Sequence, residues 1–219
     1  SEVSHVNILN DEFITYLNNI DSTLVNSISY TSNIAIQIVT ESQTGSFDLV
    51  AIDSGDFSFF GGSNVFNEIP DSQEFVESQY DILDGRYPVA YDEIVLVVDK
   101  ENKVSVKILD ALGINVLDEY NFSDFLGKEF KAVPNNVFYN EVGPAYLPST
   151  NYENMYLNED SITIKIVGIL RVNDTATSEV LTVGLGYTTM LTDYMSNDAM
   201  NSDIVAAQIA NPDRNILTG

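Results

Sequence analysis

At 219 residues, 44% of them apolar, the chain is long enough for one large domain or two small ones, and too hydrophobic for a disordered acidic polymer. Nine Lys and Arg stand against 33 Asp and Glu, a formal net charge of −24, which argues against nucleic acid and anionic lipid as direct partners. The absence of cysteine rules out disulfides, thiolate nucleophiles and cysteine-ligated zinc or iron–sulfur centres.

In chain order, Asn10 or Asp11 caps a first predicted helix whose apolar residues Phe13, Ile14, Leu17 and Ile20 share a face. "NIAIQIVT" alternates Ile34, Ile36 and Ile38 against Ala35 and Gln37, a strand with one buried face. "SFDLVAID" follows as its hairpin partner across Thr44-Gly45, and "DSGDFSFFGGSN" reads as a surface loop. Asp71 and Ser72 start a turn or two of helix through Phe75 and Val76. "EIVLVVD" is unbroken and β-branched, a strand covered on both faces. "SVKILDALG" gives a short helix stopped by Gly113, and the tyrosine-rich residues 134–160 read as a long loop. "SITIKIVGIL" alternates and then turns apolar on both sides around Gly168, which predicts a bulge or the close approach of another backbone. Tyr187, Met190, Leu191, Tyr194 and Met195 recur at helical spacing, and "DIVAAQIANP" is expected to close the chain as a last strand. Few helices among many strands make the fold class α+β.

Catalytic constellations are scarce. The only histidine, His5, stands near one end, which leaves no Ser-His-Asp triad and no multi-histidine metal site. "GLGYTT" lacks the third glycine and the lysine of a phosphate loop, so Gly184 and Gly186 are read as a strand-to-helix turn. Asp92-Glu93, or Asp53 with Asp56, could pair as hydrolytic carboxylates, but exposed turn and cap carboxylates are the plainer reading. The loop of residues 53–64 has oxygen ligands for calcium without the spacing of an EF-hand. Phe57, Phe59 and Phe60 form a contact patch or fill the core under that loop. Tyr139, Tyr146, Tyr152 and Tyr156 either line a groove or cover a thin core.

"YDILDGRYPVAYDEIVLVVD", a short helix ending in "ALGI", then "FLGKEFKAV" and "ITIKIVGIL" resemble, in that order, the extracytoplasmic domain of MacB/FtsX-type ABC transporter permeases of Gram-positive type. The residues carrying the resemblance are Gly85, Arg86 and Pro88, Glu93, Gly113, Gly127 and Gly168. It covers the chain from about residue 12 onward. The resemblance implies a porter-like α/β lobe from residues 1–80 with 180–219, and a smaller β-rich lobe inserted at 81–179. It also implies a non-catalytic domain outside the cell membrane, with no cofactor and no metal. Such a domain couples cytoplasmic ATP hydrolysis to extrusion, sensing or hand-over of a substrate. The implied partners are the membrane part of the same permease, indirectly its ABC ATPase subunit, and a peptide or lipophilic substrate. Both ends of the sequence accordingly read as cuts through a longer polypeptide. A secreted carbohydrate-binding or adhesin-like module and a carboxylate-dependent hydrolase are the alternatives.

Arg86 is one of three arginines, and two roles compete for it: part of an active site, or the lock of a structural corner. Asp84-Gly85 supplies a turn, Pro88 fixes φ, and Asp84, Asp92 and Glu93 are the nearby acids able to receive the guanidinium. The corner is the expected role.

Overall fold

The computed structural model describes residues 10–21, 23–25, 28, 30, 34, 36–50, 65–116, 119–176 and 180–218. Residues 1–30 form one unit and 31–219 another. The first holds helix α1 (Asp11–Asn18), whose N-cap Asn10 accepts from the Phe13 N–H. None of its residues is buried, and the Tyr30 hydroxyl donates to Asn18 at 2.9 Å.

The second unit is built on an eight-stranded mixed sheet, and its fold is α+β. Strands β1 (Gln37–Glu41) and β2 (Phe47–Val50) form the expected hairpin, closed by Ser42, Gly45 and Ser46. Beyond them come β3 (Phe66–Glu68), β4 (Tyr80–Gly85), β5 (Glu93–Val98), β6 (Glu129–Val133), β9 (Ile162–Val172) and β10 (Gly184–Tyr187). A separate hairpin joins β7 (Tyr139–Val142) to β8 (Ala145–Pro148). The sheet order is β2-β1-β6-β9-β5-β10-β3, with β4 also paired to β9. In this order β6, β9 and β5, all from residues 81–179, lie side by side between β1 of residues 1–80 and β10 of residues 180–219, within one sheet.

β5 confirms its reading: all six residues are buried, with Ile94, Leu96 and Val98 in one apolar cluster and Val95 and Val97 in another. Side chains alternate across a strand, so an unbroken apolar run needs cover on both faces. On the first face, α3 (Val106–Ala111) supplies Ile108 and Leu109, and α6 (Thr189–Met200) supplies Leu191 and Met195. On the second, Val76 of α2 (Gln73–Gln79) packs with Tyr80, Tyr87 and Leu170. Each fully buried aliphatic side chain contributes roughly 1.5–3 kcal/mol. Of the predicted α6 stripe, Met190 and Tyr194 stay substantially exposed, and Tyr187 belongs to β10.

Two expectations are corrected. Residues 134–160 are not a loop: they form α4 (Asn135–Phe138), the β7–β8 hairpin and α5 (Tyr152–Leu157). Phe138 and Met155 of this stretch pack on Val39 and Val133, making a third apolar cluster with Tyr139, Tyr152 and Tyr156 along its margin. These three tyrosines cover a thin core. "DIVAAQIA" is helix α7 (Asp203–Ala210), not a closing strand. Its first turn is secured from outside: the Asp203 N–H donates to Asn136 Oδ1 at 2.9 Å, and Asn135 Nδ2 donates to Ser202 Oγ at 3.3 Å. At its far end the Gln208 amide donates to the Arg214 carbonyl at 2.7 Å.

Candidate functional site

The motif residues other than Gly113 collect around the middle of β9. Its alternation places Ile164 and Ile166 in the first cluster, but the next residues in that cluster and the opposite one are Ile169 and Leu170. The parity changes at Gly168, where the pairing with β5 slips from Ile94–Ile166 to Val95–Gly168. This is the expected bulge, and the expected close approach accompanies it. Gly85 pairs with Gly168 across β4–β9, and a Cβ on Gly168 would sit 2.1 Å from the Arg86 carbonyl oxygen. Gly85, at φ +72°, has a Cβ position 2.1 Å from the Val167 oxygen. Only paired glycines let the two backbones come this near. The Arg86 N–H then donates to the Val167 carbonyl at 2.9 Å, which ends β4 and turns the chain.

After the turn, Tyr87 and Pro88 are buried, and the Tyr87 hydroxyl donates to the Pro70 carbonyl at 2.6 Å. Burial pushes the Tyr87 phenol well above its ordinary range. Of the three acids near Arg86, Glu93 receives it. Arg86 Nη1 donates to Glu93 Oε2 at 2.6 Å, and Nη2 makes a second short bond to Oε1. Glu93 also accepts from the Val89 N–H at 3.0 Å, while Arg86 Nη1 reaches the Tyr87 carbonyl at 3.1 Å. Asp84 instead accepts from the Gly85 N–H. Glu93 is only 6% exposed. Hydrogen bonding to Arg86 holds its carboxyl below the usual range against the opposing effect of burial, helped by Val89 and by the charges of Arg86 and Lys165. A general acid needs the reverse shift, so this carboxylate is a fixed anion in a bidentate fork. These bonds tie Arg86, in the turn after β4, to Glu93 at the start of β5.

Gly127 and Lys128 join the same neighbourhood: the Gly127 N–H donates to the Ile166 carbonyl at 2.8 Å, and the Ile166 N–H to that of Lys128 at 3.0 Å. Gly113 is not part of it; it ends α3 against Glu41 and Ser42 of the first hairpin. Gly184 and Gly186 lie inside β10 and not in the turn after it, and Gly186 makes room for Ile69. His5, Asp53, Asp56, Phe57, Phe59, Phe60 and the calcium-like loop fall outside the described residues. Among the described residues, no three or more His, Cys, Asp or Glu are placed to hold a metal ion, and no helix is long and apolar enough to cross a membrane.

What sequence reasoning missed is an aromatic pair. Tyr91, in the turn before β5, stacks on Tyr194 of α6 with ring centroids 4.2 Å apart and planes 6° from parallel. Tyr91 carried no local signal, and Tyr194 read as part of an inward stripe.

Comparison of the chain with protein-family models, curated proteins and solved structures returns no match.

Proposed function

We propose that this chain is a non-catalytic extracytoplasmic domain of an ABC transporter permease of the MacB/FtsX type, acting as a mechanical and substrate-contacting element outside the membrane. The observation that supports the reading is the convergence of Gly85, Arg86, Glu93, Gly127 and Gly168 on one joint in β9. These residues carry the resemblance in the sequence, and together they build a rigid corner instead of a reactive centre. A rigid joint at the centre of a sheet suits a domain that transmits movement as a body. In this reading the partners are the membrane helices of the same polypeptide and, through them, a cytoplasmic ATPase; the transported or sensed substrate is a peptide or lipophilic molecule.

These 219 residues contain no cysteine, so labelling gained over the unsubstituted polypeptide reports on this domain alone. A single cysteine at exposed Glu141, introduced into the intact polypeptide, is treated with a membrane-impermeant maleimide on whole cells. Labelling of whole cells, with the protein in the membrane fraction, is the expected result. Labelling that appears only after permeabilisation, or recovery of the intact polypeptide free of membrane, overturns the reading.

A further inference from the structure

The stacked tyrosines form one wall of a cavity of about 620 Å³. Tyr91 and Asp92 come from the turn before β5, Glu159 and Asp160 from the loop between α5 and β9, and Tyr194 and Asp198 from successive turns of α6. Pro134, Asn136 and Val137 at the start of α4 complete the lining, so four separate segments meet at one aromatic and acidic hollow. Both rings remain accessible, Tyr91 at 38% and Tyr194 at 41% exposure. Among the described residues that line it none is basic; Lys131 touches the lining from the adjoining strand, where its ammonium donates to Thr163 Oγ1 at 2.6 Å.

Two properties define the ligand chemistry. The carboxylates are distributed around the hollow and no three of them converge as metal ligands do, so a compact metal ion does not match their spacing. Accessible tyrosine faces attract organic cations and pack against methylene groups. An extended chain carrying ammonium groups between short methylene runs answers both: its charges face separate carboxylates while its hydrocarbon lies on the rings.

We propose that this cavity binds a small linear polyamine, with the Tyr91–Tyr194 pair as platform and Asp92 and Asp198 as principal charge partners. The assignment stands apart from membrane attachment and uses none of the corner residues.

The test is calorimetric titration of the 219-residue chain with spermidine at low and moderate salt. Expected is a saturable one-to-one event, weakened about three- to tenfold or more by each of Tyr194→Ala, Asp92→Asn and Asp198→Asn. Glu101→Gln with Glu119→Gln, on a separate cavity, controls for general attraction to an acidic surface and should leave the event unchanged. Far-ultraviolet circular dichroism of each variant checks that the fold persists. Non-saturating uptake, or equal loss in the control, overturns the site. Binding of a neutral trisaccharide with the same dependence on Tyr194 would reassign the cavity to sugar and overturn the proposal. Trilysine binding more tightly than spermidine would overturn it in favour of a peptide.

Discussion

Glu93 is a buried anion whose oxygens are all engaged, by the two guanidinium nitrogens of Arg86 and the Val89 N–H. Removing one partner of such an arrangement costs more than the pair contributes, because the survivor stays desolvated. Arg86→Ala should therefore lower the melting temperature by several degrees, on the order of 2–8 °C. Arg86→Lys, which keeps the charge but loses the fork, should fall between that variant and the parent. An unchanged melting temperature in Arg86→Ala would remove the corner's structural role. The pH dependence has a definite sign. The folded state depresses the Glu93 carboxyl below 4.5, so its stabilisation is complete above that value and is lost as pH falls through the folded value. Urea unfolding of the parent and of Glu93→Gln should differ most at about pH 7, and the gap should narrow as pH falls below the ordinary carboxylate range. A gap that widens on acidification would contradict the assignment.

At the scale of elements, the bulge at Gly168 is where β9 exchanges one buried face for the other. Gly168→Ala must push apart backbones that leave 2.1 Å for the new carbon, and should cost roughly 2–4 kcal/mol. Gly45, unlike Gly168, sits at positive φ, but its Cβ would meet nothing within 4 Å, and Gly45→Ala should cost only about 1 kcal/mol. Denaturant titration of both separates close approach from backbone conformation. The contrast also explains what was legible in the sequence. β5, β9, α2 and α3 were readable because their signals are local: unbroken β-branching, alternation broken by a glycine, a Ser N-cap and a Gly stop. α7 was misread because its cap comes from Asn136 in α4, and because Ile204 is buried while Ile209 is 70% exposed, so no clean helical stripe exists. The α4–α5 region was misread because its helices run only four and six residues, and its apolar partners lie on β1 and β6. The corner was half legible: Arg86 and its candidate acids were visible, but choosing Glu93 over Asp84 and Asp92 required the third dimension. The tyrosine pair was not legible at all, since its members come from distant segments joined only by the sheet.

For the whole molecule, the charge of −24 is a repulsion distributed over the surface, relieved locally where ion pairs form, as at Arg86–Glu93 and Arg171–Asp81. Self-repulsion of this size opposes compaction and is screened by salt. The melting temperature should therefore rise between about 10 mM and about 300 mM sodium chloride. A fall over that range would mean that specific pairs outweigh the net repulsion.

The order of strands has a further consequence for how the protein comes into being. β5 is the most apolar strand of the sheet, and both of its neighbours, β9 and β10, are encoded after it. During synthesis the ribosome releases Ile94–Val98 long before either mate exists, so this segment waits with two open hydrogen-bonding edges. Only when Ile162–Val172 emerges can the early hairpin, β4 and β5 be drawn into one sheet, which makes β9 the keystone of assembly as well as its centre.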